Sequence, residues 1–258
     1  MVRTGLAALA LALAAGPALA EVGPEPDGTV PADPRDFSGV WMNDNTYDET
    51  LKRLGLNRLP AGETFRPERP TPVLTPDYAR LYAEMQAAKA GLEVGVQACG
   101  WPGLMKVMTY PYPLEILHSS GRITMIFEAE SQVRRLFLDR DEHLPFDELD
   151  PSYNGDSIAR WEGDTLVVDT VGLNDLSYLP GDRPHSDQMH VMERFRYIDG
   201  DTMEVLMTVT DPLALAEPFE QTIIYSRRPD WRIREYSCME NNRDAPDSNG
   251  ERAGGIIE

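Results

Sequence analysis

Cysteine is nearly missing: the 258 residues hold two, Cys99 and Cys238, and no CxxC spacing. A cysteine-built metal site is therefore excluded at the level of ligand spacing. Histidine is scarce as well, with four, and neither His185/His190 nor His190/Glu193 has metal-ligand spacing, so no metal is expected. There is no GxSxG elbow, no phosphate-binding P-loop and no GxGxxG leading into a helix. These absences remove the common nucleotide and dinucleotide chemistries, and no cofactor is expected. Positive charge is short: 24 basic residues face 43 acidic ones, a net charge of −19. Such a field repels nucleic acid and anionic membrane surfaces, so neither is an expected partner.

Long apolar runs are confined to the first twenty residues, MVRTGLAALALALAAGPALA. Arg3, an Ala/Leu stretch and the small-x-small end Ala18-Leu19-Ala20 read as a secretory signal peptide. Its removal takes away Arg3 and no acid, leaving a charge of −20 on a soluble, exported chain, periplasmic or secreted. Nothing later approaches the roughly twenty apolar residues of a membrane helix, so no membrane insertion is expected. In an oxidising compartment two cysteines permit one pairing, and a Cys99–Cys238 disulfide is expected. It would close a loop of roughly 140 residues, worth about 4–5 kcal/mol in the chain-entropy account.

Residues 21–36 are rich in Pro, Gly and Asp and read as a flexible leader; residues 243–258 read as a disordered tail. Between them, 37–242 form a single domain. Residues 57–74 are proline-rich, and Thr75-Pro76-Asp77 then gives the start signal of a helix over 76–90, with Leu81, Tyr82, Met85 and Ala88 at helical spacing. From about 105 the hydrophobic period becomes two. Strands are expected over 113–118, 122–130, 132–140, 157–161, 165–171, 190–198, 202–210, 220–227 and 231–239, following a first strand near 37–41. Turns at Gly121, Gly163, Asp199-Gly200 and Pro229 join most of them as hairpins. Two of these hairpins are alike, WEGDTLVVDTVGLND (161–175) and YIDGDTMEVLMTVTDP (197–212), because both use a Gly turn followed by a β-branched restart. The expected fold is mainly β: an antiparallel up-and-down barrel with one flanking helix, with a two-sheet sandwich as the alternative.

Ordered motifs run along most of the chain: Phe37-Ser38-Gly39-Val40-Trp41, Cys99 with Pro102-Gly103-x-Met105, Trp161-Glu162-Gly163-Asp164-Thr165-Leu166-Val167-Val168-Asp169-Thr170, Pro184-His185-Ser186, His190-x-x-Glu193-Arg194-Phe195, Thr210-Asp211-Pro212 and Cys238-x-Glu240-Asn241. In this combination the chain resembles a large family of exported bacterial proteins over about 36–242. That resemblance carries no shared activity with it. Gly39-x-Trp41 on a first strand is also similar to the lipocalin and calycin signature. This second resemblance implies a barrel with a ligand cavity, a tryptophan at one end and an arginine over its ring, here Arg232 or Arg234.

Small barrels are filled by side chains or hold one small ligand. An inward ionisable residue then lines a cavity or is paired. Glu128 lies on an apolar strand face with Thr124 and Ile126, and Arg134 and Arg140 share the next strand with Leu136 and Leu138. His118 sits beside a turn and His143 in a loop-like stretch where solvation is the plain expectation. Period-two alternation sends His190, Met192 and Arg194 to one side and Glu193 to the other. Asp169 falls opposite Leu166 and Val168 and is expected to point outward and bond turn or loop backbone, whereas Asp211 continues the apolar face of its strand to a barrel rim. The expected site therefore gathers Glu128, Arg134, His190 and Asp211 in one cavity, His190 being the leading acid–base group, with Arg140 and His118 as further ligand-binding residues. The expected function is cofactor-free acid–base processing of a small organic molecule, as in a lyase, isomerase or hydrolase. The alternative is a noncatalytic periplasmic protein that binds such a molecule.

Overall fold

A computed structural model describes residues 33–43, 70–90, 100–145 and 147–238. The expected signal peptide, most of the expected leader, the expected tail and Cys99 lie outside the described residues, and with Cys99 the expected disulfide. Nine strands form a closed barrel: β1 (Gly39–Asn43), β2 (Pro113–Ser119), β3 (Arg122–Phe127), β4 (Val133–Phe137), β5 (Asp156–Glu162), β6 (Thr165–Val171), β7 (His190–Asp199), β8 (Thr202–Thr210) and β9 (Phe219–Arg227). Helix α1 spans Pro76–Ala90 and a short α2 spans Gly103–Val107. Each strand pairs with its sequence neighbour, and β1 closes the ring on β9 with Trp41 opposite Arg227. Among the described residues no helix is long and apolar enough to cross a membrane.

The fold departs from the expected one in three places. The β4–β5 pair is parallel, with Leu136 opposite Ser157 and Phe137 opposite Ile158. A hairpin cannot join parallel neighbours. Residues 138–155 accordingly leave the wall after β4 and return beside Gly172 and Leu173, where Ser152 N–H donates to the Gly172 carbonyl (3.0 Å). The strand expected over 231–239 is absent from the described part of that range. Residues 231–237 keep one isolated bridge, Tyr236 to Ala129, because β1 already occupies the edge of β9. Last, α2 stands where no helix is expected.

Alternation sorts the wall into two faces. Leu114, Ile116, Ile123, Met125, Phe127, Leu136, Leu166, Val168, Val191, Phe195, Val205, Met207, Val209 and Ile223 point inward, and each is at most 2% exposed. The segment of α2 joins them: Leu104, Met105, Val107 and Met108 are buried, and the Tyr225 hydroxyl of β9 donates to the Met108 carbonyl. Burial pushes the Tyr225 phenol far above its ordinary pKa. At the other end Trp41 is fully buried, donates Nε1–H to the Phe37 carbonyl (2.8 Å) and packs on Tyr197, while Phe37 meets both Tyr197 and Trp161. A guanidinium does cover that ring, but it belongs to Arg227, 4.5 Å from the centroid, rather than to Arg232 or Arg234. Arg227 ends the last strand of the ring, and its Nη1 also donates to the Ser38 carbonyl (2.9 Å). The closed ring with its tryptophan–arginine end is consistent with a lipocalin-like barrel.

Helix α1 occupies the expected range. Thr75 fixes its start by donating its hydroxyl to the Leu213 carbonyl (2.7 Å), and Tyr82 donates to the Gly181 carbonyl (2.9 Å). Tyr78, Tyr82 and Met85 form the half-buried side, while Leu81 and Ala88 are exposed.

Candidate active site on the outer wall

Inside the barrel, one charged pair stands among apolar neighbours. Arg134 on β4 and Glu193 on β7 have no exposed side-chain surface. Arg134 Nη1 donates to Glu193 Oε1 (2.9 Å), Nη2 donates to Oε2, and Nη2 also meets Thr170 Oγ1 (3.0 Å) and Ser157 Oγ (3.2 Å). This bidentate pair, bonded through both terminal nitrogens of Arg134 while its Nε is buried without a partner, ties together four strands and has no contact with solvent.

A second polar chain lies on the other side of the same wall. Because Leu166, Val168 and Thr170 face inward, Asp169 between them faces outward, opposite Ile158 of β5 and Met192 of β7. His190, two residues before Met192, faces the same way. Its Nε2 lies 2.6 Å from Asp169 Oδ1. The 138–155 excursion brings a third member to this face. His143 places Nε2 3.1 Å from the same Asp169 oxygen and Nδ1 3.0 Å from Asp156 Oδ2, and Arg140 donates Nη2 to Asp156 Oδ1. Arg140 is itself laid over the Phe137 ring at 4.1 Å.

An ionised carboxylate only accepts, so every ring nitrogen facing one must carry hydrogen. His143 is bonded through both ring nitrogens, one to each of two aspartates. His190 is held with its proton on Nε2, and its Nδ1 has no bond partner among the described residues. The Asp156 carboxyl is pushed up by partial burial, but the hydrogen bonds from Arg140 and His143 outweigh that and hold it below the ordinary 3.8. The side chains of His190, Asp169 and His143 are 37%, 27% and 20% exposed, so solvent and solute reach the chain. An oriented imidazole with one bare nitrogen is a proton acceptor; protonated, it is a donor stabilised by Asp169. Among the described residues no three His, Cys, Asp or Glu side chains are arranged to hold a metal ion.

The residues expected to converge do not all do so. His190 and Arg140 belong to this chain, linked through Asp169, His143 and Asp156. Arg134 is in the lumen with Glu193. Asp211 lies one residue beyond Thr210, the register partner of His190, and on the opposite face. It is buried and accepts from the Ser186 N–H (2.7 Å), Ser186 hydroxyl (2.8 Å), Leu213 N–H (3.1 Å) and Ala214 N–H (2.9 Å). Glu128 accepts the Arg234 N–H (2.8 Å) and holds the segment after β9. His118 accepts the Phe37 N–H at the Trp41 end (3.3 Å). Asp156, Asp169 and His143 were not among the expected site residues. The outward parity shared by Asp169 and His190 was the available signal; the approach of His143 leaves none in local spacing.

One more histidine pairs with a hydroxyl. His185 donates Nδ1–H to the Ser186 carbonyl (2.9 Å), leaving Nε2 to accept from Ser177 Oγ (3.0 Å), and burial holds its pKa below the ordinary 6.5. Both residues are 3% exposed, which makes this pair a brace of the 172–189 segment. No protein-family model matches the chain and no curated protein is similar to it, so the geometry of the outer wall carries the functional reading.

Proposed function

We propose that this protein is an acid–base enzyme for a small organic molecule, working on the outer wall where Asp169, His190 and His143 of the 138–155 excursion meet. The observation that carries this reading is the Asp169 oxygen 2.6 Å from His190 Nε2, which orients the ring and leaves Nδ1 free on the solvent side. In the forward step Nδ1 removes a proton from a substrate carbon or hydroxyl, and Asp169 stabilises the imidazolium that results. The same nitrogen returns the proton to the product or leaving group, so the protons balance over one turnover. Lyase, isomerase and hydrolase reactions all contain such a step. The leader sequence supports placing this enzyme outside the cytoplasm, with Cys99 and Cys238 bridged.

The test is solvent exchange. The mature protein is incubated in deuterated water with a panel of small carbonyl and hydroxy compounds, and proton NMR follows loss of C–H signals or conversion. At least one compound should react, and His190→Ala should slow it by about 100- to 10,000-fold, the range for losing a general acid or base. Equal rates in the variant would remove His190 from the chemistry. Nitrogen-15 NMR of the imidazoles gives an independent check: His190 should be the Nε2–H tautomer, and Asp169→Asn should abolish that preference.

A further inference from the structure

The outward side chains of β5, β6 and β7 form an ordered lattice. One row holds Asp156 and His190, the next Ile158, Asp169 and Met192, and the next Arg160, Val167 and Arg194. At about 3.4 Å per residue, the third row lies ~7 Å from Asp169 and ~14 Å from His190 along the strands. The middle row supplies half-buried Ile158 and Met192, and Val167 in the third is 1% exposed although it faces outward.

Charge on this lattice is uneven. Arg140 has Asp156 and Arg196 has Glu204. Arg160 and Arg194 instead share one carboxylate, Glu162, at 2.7 and 3.0 Å, and Arg35 reaches the same turn by donating Nε–H to the Gly163 carbonyl (3.0 Å). Among the described residues Glu162 is the carboxylate bonded to Arg160 and Arg194, so two guanidiniums share one bonded carboxylate, with Asp164 following in the same turn, on a chain of net −19. Arg160 and Arg194 are 59% and 45% exposed, and their planar forks suit a carboxylate or a similar oxyanion.

We infer that the substrate of the outer-wall site is an amphipathic organic monoanion, its anionic group on Arg160 and Arg194, its apolar body across Met192 and Ile158, and its reacting end at His190. This rests on the acid–base reading for the reacting end alone. Anion, apolar strip and imidazole follow one another along the strand direction. An exposed anion site is screened by salt, so binding should weaken as ionic strength rises.

Octanoate, octylamine and octanol serve as probes of matched length, with the methyl signals of Ile158 and Met192 followed by NMR in the full mature chain. Octanoate should shift both residues and bind at least ~10-fold more tightly than octylamine, the scale of one or two charge-assisted hydrogen bonds. The exposed double variant R160Q/R194Q should lose that preference, whereas His190→Ala should keep it. Equal shifts by octanoate and octylamine, or unchanged octanoate binding in R160Q/R194Q, would overturn the inference. Retained octanoate preference with no loss of turnover in His190→Ala would sink the acid–base reading and leave the anion site standing.

Discussion

The two faces of one barrel wall use the same residue types to opposite ends. In the lumen, Arg134 and Glu193 are sealed, and the two terminal nitrogens of Arg134 are both engaged by oxygen. On the outer face, Asp169 and His190 are joined as closely but remain partly exposed, with His190 Nδ1 unengaged. Desolvation makes the lumen pair rigid and costly to disturb, and it also denies any substrate access. The wall chain sits in a higher dielectric, holds less energy, and keeps an open proton position. The ionic residues of this barrel therefore separate by side of the wall into a sealed pair and a partly exposed chain.

The largest expected effect breaks the lumen side. Glu193→Leu alone leaves Arg134 charged and buried without its partner, which should lower stability by about 3–5 kcal/mol in a urea titration. The double variant R134M/E193L restores apolar packing and should recover most of that loss. A single-variant cost within ~1 kcal/mol of wild type would mean that water reaches the pair, and the contrast between the faces would collapse. His190→Ala, by comparison, should stay within about 0.5 kcal/mol of wild type, as expected of a partly exposed residue.

The next effect sharpens the contrast with two aspartates. Asp211 accepts four hydrogen bonds from Ser186, Leu213 and Ala214 in a buried corner. Asp211→Ala should therefore lower stability by about 1–3 kcal/mol through unsatisfied backbone donors. Asp169→Asn should change stability little and strike turnover. If thermal and urea melts rank the two the other way, the assignment of Asp169 to chemistry and Asp211 to structure is reversed.

That pair also shows what the sequence makes legible. The turns at Gly121, Gly163 and Asp199-Gly200 and the period-two runs around them suffice for the barrel, because hairpins are local. The parallel β4–β5 pair is not local, and nothing within 138–155 states where the chain returns. The expected strand over 231–239 follows a sound turn signal at Pro229, but ring closure by β1 had already filled the edge it needed. Helix α2 has five residues, too few for a periodicity. Parity sends Asp169 outward, as expected; His190 was expected in the cavity with Asp211 and lies on the outer face with Asp169 instead. Asp211 then performs the backbone-bonding role expected of Asp169, since a strand-end residue on the inner face meets the orphan N–H groups of the following turn. His143 reaches both aspartates only through the long excursion, a contact set by topology rather than spacing.

The smallest expected effect tests the wall by acid. Asp156 has its carboxyl held below the ordinary 3.8, because the hydrogen bonds from Arg140 and His143 outweigh the upward push of burial. A carboxyl lowered on folding contributes stability that is complete above its unfolded pKa and is lost as pH falls through its folded one. Asp156→Asn should therefore be less stable than wild type at neutral pH by ~1 kcal/mol or less, the range for partly exposed ion pairs. The gap should stay constant down to about pH 4 and close below it, as the wild-type carboxyl takes up its proton and comes to resemble the amide. Urea titrations of both proteins at pH 7, 5, 4 and 3 give the comparison directly. A gap that persists unchanged at pH 3 would show that Asp156 acts through shape and neutral hydrogen bonding. In that case the contacts of Asp156 to Arg140 and His143 would hold the excursion to the wall by geometry, and charge on the outer face would not contribute to stability there.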